Sequence, residues 1–108
     1  MDTPTLADVH IRGVAHRLIE KRLRRNSENI KQLQHELTLL DEQLDALRDD
    51  ANDKEMRSLV SETPLALHEF RDAQKHLEAL LEHRDYLIRA IAEQTRNQDE
   101  LLDRLGKK

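Results

Sequence analysis

A seven-residue hydrophobic repeat constrains this chain more than any other feature. Leu23, Ile30, Leu37 and Leu44 recur seven apart, and Leu33, Leu40 and Leu47 stand three residues after the last three of them. Alternating steps of three and four place all seven on one stripe of a helix, the a/d seam of a coiled coil. A seam needs a facing helix, and the second half of the chain supplies one. Phe70, Leu77, Ile91 and Leu105 share a heptad line that Arg84 and Gln98 interrupt, and Ala73, Leu80, Leu87 and Leu101 lie three residues further on, with Gln94 interrupting. The pattern predicts an all-α protein, a long antiparallel helical hairpin of coiled-coil type, forming one domain over residues 1–108.

Local signals set the expected boundaries. Thr3-Pro4 and Thr63-Pro64 each read as a helix start, with Thr as N-cap and Pro at the first helical position, where its missing N–H costs nothing. Asp49, Asp50 and Asp53 oppose the dipole of a helix ending nearby, so the reading is a helix over about 4–52, a turn over about 53–63 and a helix over about 64–105. Gly106 suits a C′ position, with Lys107 and Lys108 complementing the helix C-terminus. Gly13 is a tolerated weakness in the first helix. Asn26 falls on the seam, followed by Ser27; it is either a break near 26–27 or a polar layer that sets register. With the turn at 53–63, the seams meet in phase when Leu37 faces Leu80, Leu47 faces Phe70, Leu33 faces Arg84 and Asn26 faces Ile91.

Composition supports rods over a globule. Of 108 residues, 37% are hydrophobic, 37% charged and only 2% aromatic, too few apolar groups for a layered core but enough for stripes. There is no cysteine, which removes disulfides and thiolate metal ligands. The start lacks the charged and apolar segments of a secretory signal, and no apolar run is long enough to span a membrane. A cytoplasmic location is the expectation.

The second helix carries a spare apolar line. Leu67, Leu81, Ile88 and Leu102 run beside its seam, and Ile11, Leu18 and Leu39 lie off the seam of the first arm. An a/d/e face is wider than two strands can cover and suits a bundle of three or four helices. Burying four such side chains contributes on the order of 6–12 kcal/mol before entropic costs. Self-association through Leu67, Leu81, Ile88 and Leu102 is therefore expected, most simply as a homodimeric four-helix bundle; curvature or a folded-back N-terminal segment is the alternative cover.

Charge is unevenly spread under a net −4. Residues 10–26 hold Arg12, Arg17, Lys21, Arg22, Arg24 and Arg25 against Glu20 alone, whereas residues 41–62 are strongly acidic. Arg17, Lys21, Arg22, Arg24 and Arg25 are candidate contacts for phosphates or an acidic partner. No interleaved aromatics or helix-turn-helix pattern accompany them, and a solvated face that sets pairing direction accounts for the same charges. Asp50, Asp53, Met56 and Leu59 form a candidate partner-binding tip, or an end cap for the core. Asp50-x-x-Asp53 on a long hairpin resembles the acidic tips of bacterial transcription factors that enter the RNA polymerase secondary channel. The resemblance covers a few residues and the architecture, and the globular domain of those families is missing. It implies an RNA-polymerase-associated regulator as the alternative function.

Nothing carries catalysis. Six histidines are scattered, of which His76 and His83 share a helix face and His83 falls near Glu36 in the expected register, an arrangement more typical of a helix surface than of a metal site. There is no Glu-x-x-His or His-Glu-x-x-His pair, no nucleophile elbow and no glycine loop for phosphate. The reading is a non-enzymatic module that associates with itself and with another protein, as scaffold, adaptor or regulator, without metal or cofactor.

Overall fold

The computed structural model describes residue 3 and residues 5–106. Two antiparallel helices form a hairpin: α1, Leu6–Ser61, and α2, Pro64–Gly106. Among the described residues there is no strand. Pro4, Lys107 and Lys108, expected at helix ends, lie outside the described residues.

Thr5, not Thr3, caps α1. The Thr5 hydroxyl accepts from the Asp8 backbone N–H at 3.1 Å, and the Asp8 carboxylate accepts from the Thr5 N–H at 3.3 Å. This reciprocal pair is the capping-box arrangement with Asp in place of Glu. Helix α1 then continues through Asn26-Ser27 without a break and also through 53–61, where a turn was expected. Two serines that oppose helix formation are accommodated by bonding back to it. The Ser58 hydroxyl donates to the Glu55 carbonyl and the Ser61 hydroxyl to the Arg57 carbonyl, both at 2.7 Å.

The connection is only Glu62 and Thr63. Glu62 has φ 52°, in the left-handed region, and its N–H donates to the Ser58 carbonyl at 3.1 Å. It therefore ends α1 as a C′ residue in the αL motif, a role usually taken by glycine. Thr63 caps α2 as expected: its hydroxyl accepts from the Ala66 N–H at 3.2 Å, and Pro64 follows as the first helical residue.

Contacts group the chain into two units, one formed by the chain up to Gln32 with the chain from Ile91 onward, the other by Leu33–Ala90. In the Leu33–Ala90 unit, Leu40, Leu44 and Leu87 are buried together, and Leu33, Leu37, Leu77, Leu80 and Leu81 pack against them. Ala51 and Ala73 are also buried nearer the bend. Each of these is a seam position except Leu81, so the heptad reading of which residues face inward holds.

The register differs. Arg84 was expected opposite Leu33; instead its Nε donates to the Asp41 carboxylate at 2.7 Å. With Leu44 and Leu87 in one cluster and the two small residues Ala51 and Ala73 both buried, α2 is displaced by one heptad from the sequence register. Leu37 falls opposite Leu87, Leu44 opposite Leu80 and Ala51 opposite Ala73. The cause is the bend. An eleven-residue turn over 53–63, centred near 58, and a two-residue connection at 62–63 differ by about one heptad in which residues of α2 they place opposite α1. The periodicity is satisfied equally by both registers, so the turn decides between them.

In the other unit the same displacement brings Asn26 to Gln98 instead of Ile91. The Asn26 amide donates from Nδ2 to the Gln94 carbonyl at 2.8 Å and to Gln98 Oε1 at 3.1 Å. Asn26 is buried, at 8% exposure, and no buried side-chain polar atom among the described residues lacks a partner. Asn26 is thus a satisfied polar layer in the seam.

Candidate functional site

The surfaces available for function are helix faces and the grooves between them. In the Leu33–Ala90 unit, Leu67 and Ile88 are each 40% exposed. Leu81, on the same expected line, is half-buried and packs against the Leu40–Leu44–Leu87 cluster, so it serves the hairpin's own core as well as its edge. Leu102, in the other unit, is 49% exposed.

The expected tip divides. Met56 and Leu59 lie in the last turns of α1 and are well exposed, as are Val60 beside them and Leu65 at the start of α2. Met56, Val60 and Ala66 line an open, apolar groove of about 400 Å³ with Arg57 and Ser61 at its edge. Asp50 and Asp53, in contrast, are inside α1, Asp53 about two helical turns before Ser61. Asp50 pairs with Lys54 at 3.0 Å. The acids therefore do not crown the bend, and the likeness to an acidic hairpin tip loses the position on which it depended. Val60, which sits with Met56 and Leu59 in the expected connection, is part of this apolar end, and Leu65 was missed as a tip residue because the bend was placed too early.

The five basic candidates separate as well. Arg17, Lys21, Arg22, Arg24 and Arg25 are all exposed on α1. Arg22 and Arg25 line a groove of about 300 Å³ with Asn29 from α1 and Asn97, Glu100 and Arg104 from α2; Asn26 and Leu101 form its seam side. The spacings 22-25-29 and 97-100-104 each run along one helix face. They are visible in the sequence, but their meeting depends on the register.

Elsewhere, electrostatics are local. The Arg84 guanidinium is held above its ordinary range by its hydrogen bond to Asp41 and by the charges of Asp41 and, to a lesser degree, Asp85, partly offset by desolvation. His16 and Glu20 approach to 3.2 Å, as do His68 and Asp72, each across one helical turn. His83 stacks on Tyr86 with ring centroids 6.1 Å apart, and His76 lines a shallow groove with Leu47 and Leu80. The expected proximity of His83 to Glu36 disappears with the register that implied it. Among the described residues, no three His, Asp or Glu side chains are placed to share a metal ion, and no helix is long and apolar enough to cross a membrane.

Compared with known proteins, the chain matches no protein-family model, no curated protein and no solved structure.

Proposed function

We propose that this hairpin is a non-enzymatic association module that pairs with further copies of itself and presents the resulting helical surface to another protein, as a scaffold, adaptor or regulator. One observation carries the reading. Among the described residues only five apolar side chains are buried, Leu40, Leu44, Ala51, Ala73 and Leu87, while thirteen large hydrophobics are exposed. A two-helix seam alone gives a thin core, and a second hairpin laid on the Leu67–Ile88 edge thickens it.

The gain per residue is smaller than full burial. With 40% of Leu67 and of Ile88 still exposed, covering each contributes about 0.6–1.2 kcal/mol. Association costs several kcal/mol in lost freedom, so many such residues must be covered together. Leu67→Glu with Ile88→Glu tests the surface without cutting into the hairpin core, as Leu81→Glu would. The double variant is expected to retain helical circular dichroism and to lose mass in sedimentation velocity. An unchanged mass with an unchanged spectrum removes this edge as the interface.

A further inference from the structure

The groove bounded by Arg22, Arg25 and Arg104 is independent of the apolar edge, and we infer that it is a binding site for a compact polyphosphate group. Three arginines against one glutamate, Glu100, leave its walls net positive in a chain whose overall charge is −4. None of the three guanidiniums is ion-paired among the described residues, although Glu100 lines the same groove. Elsewhere in the molecule Arg84 takes a carboxylate at 2.7 Å.

Two helices contribute like charge to one groove: Arg22 and Arg25 from α1, Arg104 from α2. Like charges brought together across an interface oppose its formation. An anion seated between them converts that repulsion into attraction, and guanidinium forks bind phosphate oxygens in pairs. Asn29 and Asn97 add neutral amide donors to the same walls. A volume of about 300 Å³ admits two or three linked phosphates. Three cations favour such a multiply charged group over a single carboxylate. The protein's two aromatic residues of Phe, Tyr and Trp type, Phe70 and Tyr86, are both in the other unit, and no ring lines the groove to stack a base. The ligand is recognised by its phosphate chain alone.

Isothermal titration with inorganic tripolyphosphate tests the assignment, with salt held at ~20 mM and then raised to ~150 mM to follow screening. Arg22→Gln with Arg104→Gln, one change on each helix and both on exposed side chains, is expected to weaken binding at least ~10-fold. The control Arg71→Gln with Arg89→Gln, equal in charge but outside the groove, is expected to leave affinity within ~2-fold. Retained helical circular dichroism verifies that both variants are folded. No heat from the wild-type chain at low salt overturns the site, and so does equal weakening by the two double variants. A single-stranded oligonucleotide that binds more tightly than tripolyphosphate, and depends as much on Arg17 and Arg24 as on Arg22 and Arg104, also overturns it in favour of a backbone-tracking surface. These outcomes are separate from the mass measurements that test self-association.

Discussion

Replacing Asn26 separates stability from register. Its amide makes two hydrogen bonds, to the Gln94 carbonyl at 2.8 Å and Gln98 Oε1 at 3.1 Å, each worth about 1 kcal/mol net. Asn26→Ala removes both. The partners are not stranded, because the Gln94 carbonyl remains in the ladder of α2 and half-buried Gln98 can turn to water. The expected loss is therefore about 1–2 kcal/mol, with no further penalty for an orphaned group. In a chain of this size that lowers the melting temperature by roughly 5–10 °C, read by circular dichroism at a fixed protein concentration. Asn26→Leu behaves differently. It adds an apolar layer to the seam, so stability is expected to equal or exceed wild type. It also removes the group that distinguishes Gln98 from the neighbouring seam residues Ile91 and Leu105 one heptad either way. Asn26→Ala within about 0.3 kcal/mol of wild type would refute the hydrogen-bond argument, since a loss that small is below one net bond.

The bend and the register yield the other predictions. Glu62 holds a positive φ, so Glu62→Gly is expected to stabilise by up to about 1 kcal/mol, seen as a higher urea midpoint; a lower midpoint contradicts the left-handed assignment. Thr63→Ala removes the cap on Ala66 and is expected to cost about 1 kcal/mol by the same assay, with no loss contradicting the cap. Because the chain has no cysteine, an introduced pair reports register cleanly: Ala51→Cys with Ala73→Cys should oxidise to an intramolecular disulfide. Leu44→Cys with Ala73→Cys, facing only in the rejected register, should not. Arg84→Leu exchanges a part-exposed ion pair for a seam-filling side chain and is expected to raise the melting temperature; a fall shows the pair to be needed.

What could be read from the sequence follows from which residues carried a repeat. Leucines and isoleucines at three-four spacing marked the inward face, and the buried positions Leu40, Leu44, Ala73 and Leu87 lie on it. Thr63-Pro64 marked the start of α2 because its chemistry is local to a few atoms. The end of α1 was not legible. Beyond Leu47 its seam positions are Ala51, Lys54 and Ser58, so the apolar signal fades while the helix continues on Lys54, Glu55, Met56 and Arg57, all good helix formers. Glu62 gave no warning of a left-handed C′ residue, where Gly or Asn is usual. That single misplacement moved the facing helix by a heptad. It also put Asp50 and Asp53 at a bend they do not occupy and hid the meeting of Arg22 and Arg25 with Arg104.

The proposed self-association rests on a hairpin whose described residues leave thirteen large hydrophobics exposed. Light scattering coupled to size-exclusion chromatography tests that most directly, across a range of loading concentrations. The account predicts a mass of about twice the 12.7 kDa of one chain, or a higher multiple, over the micromolar range typical of specific pairing. A mass of 12.7 kDa at every concentration, with full helical signal, would contradict it.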